Sequence, residues 1–86
     1  GTAIHYLNGA IGNFGDDALR NHELSEAVAF IQSLIYGHNA SISAAQVQNV
    51  LGMIGDDYYE VTIAGLTAAR DELATIFAME SIKNDL

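Results

Sequence analysis

The sequence has 86 residues, with eleven acidic and three basic side chains and a formal net charge of -8. Such a charge repels the phosphate backbone of nucleic acids and anionic lipid surfaces, so neither is an expected partner. The chain has no cysteine, which excludes disulfides, thiolate metal ligands and a thiol nucleophile, and no run approaches the roughly 18 apolar residues of a membrane span.

The first predicted helix covers Thr2 to Phe14. Its apolar residues recur at steps of three and four, which places them on one helical face; they are Ile4, Leu7 and Ile11. Gly12 and Gly15 end this helix. Gly9 lies inside it and costs about 1 kcal/mol relative to alanine.

The second predicted helix begins at Asp16, Asp17 or Asn21, because each of these side chains can accept a hydrogen bond from the amides of a first turn. It runs to Tyr36 and stops at Gly37. Its own apolar side chains lie on almost every side of the helix axis, and such a helix is typically buried on several sides. We therefore expect it to be the central element of the fold.

The third predicted helix has the strongest start signal. Ser43 and Gln46 have the spacing of a capping box, and Ile42 can pack on Val47 as a hydrophobic staple. Apolar residues then recur with helical spacing, at Val47, Val50, Leu51 and Ile54. Gly52 and Gly55 end the helix.

The last segment repeats the capping pattern, with Asp57 and Glu60 ahead of another apolar run. We expect a break near Gly65 and a final helix that Thr67 caps and that continues through Phe77. The polar tail from Glu80 onward is expected to fray.

Together these elements predict an all-α bundle of four to five short-to-medium helices. Residues 1–86 would form a single helical domain or the C-terminal portion of one. Half of the residues are hydrophobic and 16% are charged, below the roughly 25% of average soluble domains. Because so small a chain buries only part of its surface, we expect its partners to be other helices of a parent protein or a second protomer.

Charged residues cluster at the start of the second helix. His22 and Glu26 are four residues apart and project from one side of a helix, so they could begin a site for iron or another divalent metal. His5 and Asp17 could add ligands if the first helix folds back. The alternative, which we favour, is a polar cluster in which Arg20 and His22 neutralise Glu23 and Glu26.

Two further motifs have structural and functional interpretations. The string GDD occurs at Gly15 and again at Gly55, and helix capping is favoured over a divalent-cation site because neither loop alternates acidic residues as a calcium loop does. Tyr58 and Tyr59 could stack on a ligand, although packed rings with exposed hydroxyls are the more common arrangement.

Two stretches resemble an uncharacterised, imelysin-like family of helical lipoproteins from Bacteroidetes. They read LRNHELSEAVAFIQSLIY and ISAAQVQNVLGMIGDDYYEVTIAGLTAARDEL. The residues that match the family's first segment are His22, Ser25, Glu26, Ala27, Ala29 and Phe30. Those that match its second segment are Gly55, Asp56, Tyr58, Tyr59, Glu60, Val61 and Thr62.

This resemblance implies the C-terminal part of an imelysin-like bundle, lipid-anchored in the periplasm or at the outer-membrane surface through an N-terminal region outside this sequence. Imelysin relatives are linked to iron uptake and carry a G-x-H-x-x-E motif. Here Arg20 stands in place of its glycine and Ser25 in place of its glutamate. This departure weakens the case for the metal site and for any peptidase activity.

We therefore expect a non-enzymatic helical module of a cell-envelope lipoprotein, linked to iron or haem uptake, with no catalytic residues. The alternative is a small self-associating helical interaction domain without a small-molecule ligand. A metallohydrolase ranks last, because it needs three ligands and an open coordination position and the three histidines form no H-x-x-x-H pair.

Overall fold

The computed structural model describes residues 2–34 and 42–85, with side chains described through residue 78. Its elements are four α-helices, α1 (Thr2–Gly12), α2 (Asp17–Ser33), α3 (Ala44–Ile54) and α4 (Ile63–Asp85). The part of the chain described contains no β-strand. The prediction of an all-α bundle is confirmed.

The four helices share one apolar core. Helix α1 packs against α2 and α4, while α3 packs against α4 and more lightly against α2. The largest side chains that are completely buried are Leu7, Leu24, Ile31, Leu66, Leu73, Val47 and Val50. Each fully buried leucine or isoleucine contributes about 1.5–3 kcal/mol relative to an exposed position, so this core is the main stabilising feature of the fold.

Helix α2 begins where one of the three predicted caps lies. The Asp16 carboxylate accepts a hydrogen bond from the Leu19 amide at 3.1 Å, and Asp16 itself has extended backbone angles, as an N-cap requires. The predicted stop at Gly37 lies outside the described residues.

The prediction that α2 is buried on several sides is wrong for the described residues. Its apolar buried positions, Leu24, Ala27 and Ile31, lie on one stripe, whereas Ala29 is exposed and Phe30 is 39% exposed. Ala18 and Leu19, in the first turn of α2, are exposed as well. A face of α2 is therefore open to other molecules.

The predicted start of α3 is confirmed. The Ser43 hydroxyl accepts a hydrogen bond from the Gln46 amide at 3.1 Å, and the Gln46 side chain accepts one from the Ser43 amide at 2.8 Å. Ile42 and Val47 are both buried, as the staple requires. The helix ends at Gly55, whose φ of +93° favours glycine.

The start of α4 differs from the prediction. Asp57 does not cap a helix; its carboxylate accepts a hydrogen bond from the Tyr59 amide at 2.9 Å and forms a local turn. Thr62 is the cap, because its hydroxyl accepts from the Gly65 amide at 2.9 Å. The helix then continues without a break through Gly65 and Thr67.

The break predicted at Gly65 is wrong because this glycine serves a tertiary contact. A Cβ atom at position 65 would lie 2.5 Å from the backbone carbonyl oxygen of Met53, at the end of α3. Helices α3 and α4 can approach this closely only where α4 has no side chain. The tail from Glu80, predicted to fray, is also helical as far as Asp85.

Candidate functional site

Arg20 is buried, with 6% of its surface exposed, although it is charged. Its Nη1 atom donates to the Phe14 carbonyl oxygen at 3.0 Å and lies 3.0 Å from an Asp17 carboxylate oxygen. Its Nε donates to the Asn21 side chain at 3.2 Å. The buried Nη2 atom has no hydrogen-bond partner among the described residues, and an unpaired buried donor costs about 1–3 kcal/mol.

Two aromatic rings flank the Arg20 guanidinium. The ring centres of Phe14 and Tyr59 lie 5.5 and 5.9 Å from its central carbon, within the range of a cation–π interaction. Phe14 belongs to the turn between α1 and α2, and Tyr59 belongs to the connection between α3 and α4. Arg20 therefore joins two connections that are distant in sequence, while Tyr59 itself is 70% exposed.

Arg20 forms a polar cluster, but its contacts differ from those predicted. Arg20 pairs with Asp17, one turn earlier, and not with Glu23 or Glu26, because side chains on a helix lean toward its N-terminus. His22 is exposed. Glu23 is half-buried and lies against α1, where a Cβ on Gly9 would be 2.8 Å from its carboxylate oxygen.

The two candidate metal ligands lie on the same helix but in different surroundings. His22 is exposed, whereas Glu26 is half-buried. No group of three or more histidine, aspartate or glutamate side chains with the geometry of a metal site occurs among the residues described. Asp17, one of the suggested additional ligands, is engaged with Arg20, and His5 packs its ring edge-on against Tyr6 at 5.6 Å.

Glu26 lines a shallow open groove on α2, with a volume of about 220 Å³. The lining residues are Glu26, Ala29, Phe30 and Ser33, and we call this feature the α2 groove. The Phe30 ring at its side stacks on Tyr6 of α1, with ring centres 5.8 Å apart and planes inclined by 29°. The sequence does not reveal this pairing, because Tyr6 and Phe30 lie on different helices.

The first GDD motif acts as predicted, because Asp16 caps α2 and Asp17 pairs with Arg20 in the first turn. The second does not cap a helix, since Asp57 forms a turn and α4 starts at Ile63. The capping prediction is thus confirmed for one motif and wrong for the other.

No helix within the described ranges has both the length and the apolar character that crossing a membrane requires. Comparison of the chain with family models, with curated proteins and with solved structures finds no match. The imelysin-like resemblance therefore depends on the motifs around His22 and Gly55 alone.

Proposed function

We propose that this chain is a non-enzymatic helical binding module of a bacterial cell-envelope lipoprotein, linked to the uptake of iron or a haem-like ligand. The observation that carries the proposal is the set of large apolar side chains left on the surface. Leu19, Phe30, Tyr59 and Ile63 are 48%, 39%, 70% and 49% exposed. Contiguous exposed apolar patches are typical of contact sites for other molecules, and we infer that these side chains contribute to such a site.

The imelysin-like motifs support the envelope part of the proposal. They suggest a lipid anchor in a preceding region and a location in the periplasm or at the outer-membrane surface. The sequence encoded upstream of this segment tests that location. A lipobox cysteine followed by further helical segments supports it, and a cytoplasmic enzyme domain there would contradict it.

His22 and Glu26 are the candidate ligands in the metal part of the proposal. A histidine nitrogen and a carboxylate oxygen suit iron or zinc, and their i, i+4 spacing places both on one side of α2. Two ligands alone bind weakly, so we expect water molecules to complete the coordination sphere.

Calorimetric titration with ferrous, ferric and zinc ions tests the metal part. We expect saturable binding by the unaltered protein and at least about tenfold weaker binding by His22→Ala, since one of the two protein ligands is lost. Ser25→Ala is the matched control, because it changes an exposed residue of the same turn without removing a ligand. Identical isotherms for the unaltered protein and His22→Ala would remove the metal from the proposal.

A second candidate function is self-association without a small-molecule ligand, and the same exposed apolar residues favour it. Sedimentation equilibrium distinguishes the two. A dimer at micromolar concentration that Phe30→Ala dissociates would support self-association, and a monomer over the whole concentration range would exclude it.

A further inference from the structure

The outer face of α2 has the ridge and groove that helix–helix packing requires. Ser25, Ala29 and Ser33 form a row at i, i+4 and i+8, and all three are exposed. The neighbouring row at the same spacing is His22, Glu26 and Phe30. Small side chains in one row and larger ones in the next produce the groove and ridge that helix packing uses.

A contact within the chain already orders the Phe30 ring when no partner is bound. Its ring stacks on Tyr6 of α1 at 5.8 Å, while 39% of its surface remains exposed. The Ser33 hydroxyl is also occupied, since it donates to the Phe30 carbonyl oxygen at 2.7 Å. An aromatic anchor that is already ordered loses little conformational freedom on binding.

The charge of this face favours a cationic occupant. The Glu26 carboxylate in the groove forms no ion pair within the described part of the chain. Arg20 is buried, and Arg70 bonds Asp71 and Asn8. A second copy of this chain has a net charge of -8 and is repelled by the first, whereas a basic helix is attracted to the chain and meets the opposite charge of Glu26.

We propose that this face of α2 docks a basic amphipathic helix of another protein. Small or aliphatic residues of that helix lie along the row of Ser25, Ala29 and Ser33, beside the Phe30 ring, and one of its lysines or arginines pairs with Glu26. The proposal rests on the proposed function only in treating the chain as a binding module. It requires no metal, and the peptide experiment is done with a chelator present, because a metal on His22 and Glu26 would compete with the lysine for the Glu26 carboxylate. The metal titration and the peptide experiment can therefore fail separately.

Two synthetic helical peptides of about 18 residues, or five turns, test the proposal. Both carry the same alanine and leucine face, but one has lysine and the other glutamate at the flanking positions. Their binding is measured by fluorescence anisotropy at physiological salt. We expect the lysine peptide to bind at least about tenfold more tightly than the glutamate peptide, because only its charge matches Glu26.

Four variants of the protein locate the site. Phe30→Ala should weaken binding of the lysine peptide about tenfold or more, since a central aromatic anchor is lost, and Glu26→Gln about threefold to tenfold. Glu60→Gln is the matched control for Glu26→Gln, and Gln48→Ala is the control that truncates an exposed side chain elsewhere. Both residues are exposed and lie outside α2, so we expect changes below about twofold.

Three results would overturn the proposal. Equal binding of the two peptides would mean that Glu26 does not favour a cationic partner over an anionic one. Equal losses in the control variants would mean that the lysine peptide adheres to the acidic surface in general. A dimer that Phe30→Ala dissociates would assign this face to a second copy of the chain.

Discussion

Replacing Gly65 with alanine should lower the free energy of unfolding by about 2 kcal/mol. The added methyl group would lie 2.5 Å from the Met53 carbonyl oxygen, well inside contact distance, and the atom it meets is backbone. Helices α3 and α4 must therefore move apart, which loosens the contact between them. This loss exceeds the gain of up to about 1 kcal/mol that alanine brings inside a helix.

Gly52→Ala is the matched control for this prediction. Gly52 is also helical, but it is exposed and a Cβ atom there would meet nothing within 4 Å. We expect this change to raise the free energy of unfolding by about 0.5–1 kcal/mol through helix propensity alone. Urea unfolding followed by circular dichroism measures both variants, and a stabilised Gly65→Ala protein would contradict the α3–α4 crossing.

Replacing Arg20 with alanine should cost about 2–3 kcal/mol of unfolding free energy. The change removes the hydrogen bond to the Phe14 carbonyl and the two ring contacts, and it leaves a cavity where the buried stem lay. The ion pair with Asp17 contributes little to this figure, because the Asp17 side chain is 66% exposed and solvent screens the pair.

Two companion variants separate these causes. Arg20→Met keeps the apolar stem and removes the buried Nη2 donor that has no partner in the described structure, so we expect it to cost about half as much as the alanine change. Asp17→Asn should cost less than about 1 kcal/mol. Equal effects of Arg20→Ala and Asp17→Asn in chemical unfolding would show that the buried contacts of Arg20 do not stabilise the fold.

Local signals in the sequence predicted the helices well. The capping box of Ser43 and Gln46 and the cap at Asp16 depend on residues within one turn, so the sequence contains all that decides them. Gly65 is different, because its role depends on where the end of α3 crosses α4, and glycine in a helical pattern equally suits a break. Thr62 was missed as a cap for a related reason: the acidic residues before it had the expected capping spacing.

The candidate site was less predictable because its contacts join residues distant in sequence. The spacing of His22 and Glu26 is enough to predict that both lie on one side of a helix. The burial of Arg20 could not, since it depends on Tyr59 from another connection, and the stacking of Phe30 on Tyr6 depends on how α1 lies along α2. The exposure of Phe30 could not be predicted, because it lies in an uninterrupted apolar run, residues 27–31, that also contains the buried Ala27 and Ile31.

The central claim is that one side of α2 packs in the core, whereas the opposite side is exposed and binds a partner helix. Proton NMR with an inert, soluble paramagnetic agent tests it directly, because signals broaden in proportion to their exposure. In the free protein we expect the Phe30 ring and Ala29 methyl signals to broaden while those of Leu24 and Ile31 stay sharp, and the lysine peptide should then protect Phe30 and Ala29. A Phe30 ring that is protected without the peptide, or still broadened at saturation, would contradict the account.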